Sequence, residues 1–178
     1  MHRRLLAALT VGLLVGSAGS TSAQMIPWSQ YGSVTQRLGD IEIQIRYRRP
    51  VARGRNLFGA LVKWGEPWAP GADSATTIRF SGDVLVDGHT VRAGTYAIWM
   101  IPDPTEWTVI LSRTWQVYHT PYPEGADALR FTKAPGTGQH METLTFHFPR
   151  VDGPEATLAF QWGTTIVEIP IAIEEDDR

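Results

Sequence analysis

Apolar side chains recur at every second position along most of this chain, a period that admits strands and excludes amphipathic helices. Ile41, Ile43, Ile45 and Tyr47 fall on one face of such a segment, with Glu42, Gln44, Arg46 and Arg48 on the other. Leu144, Phe146 and Phe148 alternate with Thr143, Thr145 and His147. Thr165, Val167, Ile169, Ile171 and Ile173 alternate with Ile166, Glu168, Pro170 and Ala172. Residues 76–80, 84–86, 90–92, 95–101 and 107–111 read as a meander, broken by Asp87-Gly88, Ala93-Gly94 and Pro102-Asp103-Pro104. Asp-Gly suits a hairpin turn because its backbone accepts positive φ. The segment 95–101 is apolar on both faces, so it is expected as a central strand covered twice.

With 129–133 and 156–162, these segments make about nine or ten strands, at the spacing of an all-β protein. The expected fold is an antiparallel β-sandwich, jelly-roll or Greek-key-like, with two long loops at 51–75 and 113–126. Leu144, Phe146, Phe148, Leu158, Phe160, Val167, Ile169 and Trp99 are expected in one core. Pro170 has no N–H to give a ladder and so points to an edge position for the last strand.

The N-terminus has the pattern of an export leader. His2-Arg3-Arg4 is followed by an apolar run at 5–15 and by small residues up to Ala23, where cleavage is expected. The run is shorter than the roughly 20 residues that span a bilayer, so no transmembrane segment is expected after cleavage. Residues 24–178 are then a single β-sandwich domain of about 155 residues, expected in the periplasm or outside the cell. Cysteine is absent, which removes thiol catalysis, thiolate metal sites, redox chemistry and lipid attachment at the leader. Stability must come from the core, which 43% hydrophobic residues can supply. The formal charge of −2 becomes more negative once Arg3 and Arg4 are lost, which disfavours nucleic acid as a partner.

Enzyme signatures are scarce. The chain contains no H-E-x-x-H, G-x-S-x-G, S-x-x-K or Gly-rich phosphate loop with Lys. His89, His119, His140 and His147, with Asp127 and Glu142, include the side-chain types of a metal site. Strand parity opposes the obvious pairs, since Glu142 and His147 are five apart and His140 and His147 seven apart. No metal and no cofactor are expected. His119 lies in Tyr118-His119-Thr120-Pro121-Tyr122-Pro123, where aromatic rings, an imidazole and stiff prolines suit either ligand contact or packing onto the sandwich. Arg46, Arg48, Arg49, Arg53 and Arg55 fall within ten residues, and guanidinium forks suit anionic groups. Arg46 and Arg48 read as ordinary surface on a polar strand face. Among seven tryptophans, Trp64, Trp68 and Trp115 fall in or beside loops, where indoles either stack on sugar rings or cap the end of a sandwich.

Three motifs fall in the first long loop and its borders: Y-x-R-P from Tyr47, G-R-x-x-F-G-x-L-V from Gly54, and W-x-x-G-A-x-x-A-T from Trp68. With Ala93-Gly94-Thr95-Tyr96 and Trp107-Thr108-Val109-Ile110, they resemble the secreted bacterial domain-of-unknown-function family 2911, across most of the chain after the leader. The resemblance implies no activity. Arg49 and Arg55 coincide with its R-P and G-R positions, and Asp73 stands where the family commonly has Asn.

The leading expectation is an exported, noncatalytic sandwich that binds a glycan, an anionic small molecule or a cell-envelope protein. Its long loops supply the candidate ligand-binding residues Arg49, Arg55, Trp68, Asp73, His119 and Tyr122, with Arg55 and Asp73 expected near each other beside Trp68. Arg55 has a second reading, as a structural staple on loop carbonyls. A hydrolase or metal-dependent enzyme centred on His119, Arg55 and Asp73 is the alternative, as is a purely structural envelope protein.

Overall fold

In a computed structural model, residues 28–174 are described; the leader expected at 1–23 lies outside them. The chain forms β1 (Gln30–Leu38), β2 (Ile41–Arg49), β3 (Thr77–Phe80), β4 (Val84–Val86), β5 (His89–Val91), β6 (Gly94–Ile101), β7 (Trp107–Ser112), β8 (Asp127–Lys133), β9 (Gly136–Asp152) and β10 (Glu155–Ala172). These strands make two antiparallel sheets, a large one ordered β1-β2-β3-β6-β7-β8 and a small one ordered β5-β4-β10-β9. The described residues contain no helix, and therefore none long and apolar enough to cross a membrane.

Alternation decides which side chains meet between the sheets. Ile43, Ile45 and Tyr47 of β2 pack with Leu144 and Phe146 of β9 and with Leu158, Phe160, Val167 and Ile169 of β10 in one buried cluster. Phe148 is partly buried against it. Strand β6 lies inside the large sheet and is covered twice, as its composition requires. Its Tyr96, Ile98 and Met100 face the main core, while Ala97 and Trp99 face outward into a second small core with Ile110 of β7. Trp99 is thus fully buried but on the opposite side of the sheet from Phe146, which corrects its expected place in a single core.

One strand was not expected, and two other expectations change. Strand β1 has few apolar residues, and its hairpin partner supplies the regularity its sequence lacks, with Val34 opposite Ile45 and Leu38 opposite Ile41. The segments 156–162 and 165–173 join into β10, a single irregular strand with register shifts on either side of Gly163. Strand β10 is internal rather than an edge, because β4 pairs along one side and β9 along the other. Pro170 is tolerated because it lies between the two ladders: pairing with β9 ends at Ile166 and pairing with β4 begins at Ile171, so no ladder pair calls on its missing N–H, while its carbonyl accepts Asp87 N–H at 2.9 Å. There it faces the Asp87-Gly88 turn, whose φ values of 49° and 78° are both positive, as a tight hairpin needs.

The loop after β2 closes one end of the sandwich. Ala52 N–H bonds to Glu142 O at 2.7 Å, and Leu144 N–H to Pro50 O at 2.9 Å, which fastens the start of the loop to β9. Trp68 exchanges both backbone hydrogen bonds with Met100, at 2.8 Å each, on the edge of β6 that β3 has left. Between these anchors Phe58 turns inward, its ring centroid 4.8 Å from Trp107 and 6.3 Å from Trp162. Burial of its apolar side chains explains how a long loop can hold one conformation.

Candidate functional site

Strand pairing prepares the outer face of the large sheet. Tyr31 of β1 stands opposite Arg48 of β2, and Ser33 opposite Arg46. Thr77 of β3 lies on the other side of Arg46. Opposed residues in an antiparallel pair share a face, so an aromatic, two guanidiniums and two hydroxyls gather on one surface. Both long loops then cross this surface farther along. Ala75 N–H bonds to Val117 O at 3.0 Å and His119 N–H to Asp73 O at 2.8 Å, so the loops form a short ladder. They cover Trp99 and Ile110, and Tyr122 meets the Trp99 ring edge to face at 5.2 Å.

This cover stops short of β1. The gap is a groove of about 380 Å³ lined by Tyr31, Arg46, Ser74, Trp115, Gln116 and Tyr118, together with Ala75, Val117 and strand residues. Three of its aromatics keep much of their surface in solvent: Tyr31 is 50% exposed, Trp115 38% and Tyr118 57%. Such rings normally seek a partner, and here they lie round one concavity. Arg46 donates its Nε–H to the Tyr31 hydroxyl, and its guanidinium sits 5.4 Å from that ring's centroid. Arg48 lies 5.9 Å from the same ring and 3.8 Å from the Asp73 carboxylate. Partial exposure of both partners makes that ion pair weak.

The six candidate residues divide into three groups. Asp73 and His119 come together at the loop ladder, but through the backbone: the Asp73 carbonyl accepts His119 Nδ1–H at 2.7 Å. Tyr122 seals the cover. Its hydroxyl donates to the Asp127 carboxylate and accepts Arg130 Nη2–H at 3.0 Å. Burial first, then the bond to Asp127, holds this phenol above its usual value near 10.0, so it stays protonated. Arg49, Arg55 and Trp68 belong to the scaffold. Arg49 reaches across to β9, donating to Leu144 O at 3.3 Å and Thr145 Oγ1 at 2.9 Å. It runs over Gly32, where any Cβ would come within 2.6 Å of the arginine stem. Arg55 donates to Ala52 O at 2.9 Å and Val51 O at 2.6 Å, stapling its own loop. Trp68 stacks on Trp162, with centroids 6.1 Å apart.

Arg55 therefore does not meet Asp73, whose carboxylate faces Arg48 instead. His119, Arg55 and Asp73 form no common centre. His140 and Glu142, two apart on one strand, do pair at 2.8 Å. No group of three or more metal-ligating side chains is found among the described residues. Tyr31 carried no signal within its own strand, and Arg46, read as ordinary surface on a polar strand face, lines the groove instead. Trp115 and Tyr118 did carry a signal, as loop aromatics beside His119.

The family model described as "Protein of unknown function (DUF2911)" matches residues 29–171. No curated protein and no solved structure matches the chain.

Proposed function

The chain belongs to this family, whose description names no activity, and we propose that it is an exported, noncatalytic domain that binds a glycan in the groove between Tyr31 and Trp115. The observation that carries this reading is the set of three partly exposed aromatic rings round one groove on a braced sheet face. The apolar face of a sugar ring stacks on an aromatic, and its hydroxyls seek neutral polar groups at the rim. Ser74, Thr77 and Gln116 supply such groups. The described residues lining the groove include no carboxylate and no imidazole, so the usual acid-base pair for cutting a glycosidic bond is lacking there. Export rests on the leader pattern of residues 1–23.

Titration of the mature protein with a panel of neutral and acidic oligosaccharides, followed by tryptophan fluorescence, tests the binding. A saturable change that Trp115→Ala and Tyr118→Ala both weaken at least tenfold is expected. A panel that produces no change, or binding indifferent to both substitutions, overturns the reading. N-terminal sequencing of protein recovered outside the cytoplasm should begin near Gln24; an intact Met1 would remove the export claim.

A further inference from the structure

The groove's formal charge points to the kind of glycan. Among the described residues, Arg46 is the only permanently charged one that lines it, in a chain whose formal charge is −2. Some arginines on this fold have carboxylate partners, as Arg48 has Asp73 and Arg92 has Asp83, and others, such as Arg49, Arg55 and Arg113, have side chains bonded to backbone carbonyls. Among the described residues, no carboxylate forms an ion pair with Arg46. Its Nε–H is taken by the Tyr31 hydroxyl and its central carbon lies 5.4 Å from the Tyr31 ring centroid, two contacts that limit its rotation. Among the described residues no hydrogen bond or ion pair engages its two Nη groups, and the residue lines the groove.

Resting on the glycan reading, we infer that the groove selects a sugar bearing a carboxylate, with Arg46 as the specificity-determining residue. A planar carboxylate accepts two parallel N–H bonds from a guanidinium fork, a match an ammonium cannot copy. Tyr31 has two roles in this arrangement. It holds the guanidinium from one side and offers its exposed ring to the sugar. The acidic protein as a whole repels an anionic chain, so discrimination is local to Arg46 and not a product of long-range attraction. A uronic-acid residue placed with its ring against Tyr31, Trp115 or Tyr118 and its carboxylate on Arg46 satisfies both features of the groove.

Calorimetric titration of the mature protein with oligogalacturonate, oligomannuronate and hyaluronan fragments, each beside its carboxyl-reduced counterpart, tests this. At least one uronate should bind at least tenfold more tightly than its reduced form. Arg46→Gln should lower its affinity to that of the reduced form, and Arg46→Lys should restore little of it. Trp115→Ala should weaken the acidic and reduced forms alike. If acidic and reduced forms bind equally and Arg46→Gln changes nothing, carboxylate selection is wrong while the glycan groove stands. Tighter binding of a sulfated oligosaccharide than of any uronate would also overturn it. If no sugar binds, both readings fall together.

Discussion

The Tyr47 hydroxyl on β2 accepts the amide hydrogen of Phe146 on β9 at 3.0 Å, and the two rings meet edge to face with centroids 5.0 Å apart. One side chain thus ties the large sheet to the small one by both packing and a hydrogen bond. Tyr47→Phe keeps the ring but leaves a buried amide without its acceptor, which costs about 1–3 kcal/mol. Phe146→Ala removes a core ring and should cost about 3–5 kcal/mol. Urea unfolding of both variants checks the pair, and a Tyr47→Phe midpoint equal to wild type would show that the bond contributes nothing.

Arg49 makes a second tie between the sheets. Arg49→Met retains most of the stem that crosses Gly32 but loses the bonds to Leu144 O and Thr145 Oγ1. A loss of about 1–2 kcal/mol is expected for bonds from a charged group that remains partly in water. Oligosaccharide affinity should not change, because Arg49 is not among the groove's lining residues. A selective loss of binding at full stability would make Arg49 a recognition residue after all.

Arg55 staples the first long loop to its own beginning. Arg55→Ala should lower stability by about 1 kcal/mol and speed amide exchange at Val62 and Gly59, whose amides are bonded within the loop at 2.8 and 2.7 Å. Binding in the groove should stay as in wild type. If exchange and stability are both unaltered, the carbonyl bonds do not hold the loop.

Glu142 links acid stability to the anchor of that loop. Its bond to His140, and then the Arg53 amide on its other oxygen at 2.6 Å, hold the carboxyl below its ordinary value near 4.5. A lowered folded-state value means that stability is fully present above about pH 4.5 and is lost as pH falls through the folded value. Glu142→Gln should therefore be less stable than wild type at neutral pH, and the gap should close on acidification below pH 4.5. Thermal melts from pH 7 to pH 3 measure this, and a gap that stays constant would rule the linkage out.

Strand identity was legible locally, because a half-buried strand must alternate at each residue. The double coverage of 95–101 could also be read directly, since a strand apolar on both sides has to be buried on both. What alternation cannot express is the partner. It offers Trp99 two equivalent ways to be buried, and only the two loops crossing the outer face decide which side is used. It likewise assigned Pro170 to an edge, whereas β10 lies inside its sheet and Pro170 falls in the gap between the β9 ladder, which ends at Ile166, and the β4 ladder, which begins at Ile171. Strand β1 was invisible by itself because an edge strand with one buried residue, Leu38, and a half-buried Val34 has little apolar alternation to show.

The motif-bearing residues were the easiest to single out, and they hold the scaffold: Tyr47 and Arg49 tie the sheets, Arg55 staples a loop, and Phe58 and Trp68 fill the sandwich end. The groove was assembled from Tyr31, Arg46, Ser74 and Trp115, which lie far apart in the chain; only Ser74 falls within a motif, at one of its unspecified positions. By itself the sequence determined an all-β chain with two-faced strands and two ordered loops, since those follow from the burial of each local segment. Only the tertiary structure decided where a ligand could rest, because register places Arg46 beside Tyr31 and the loop ladder halts its cover just short of them.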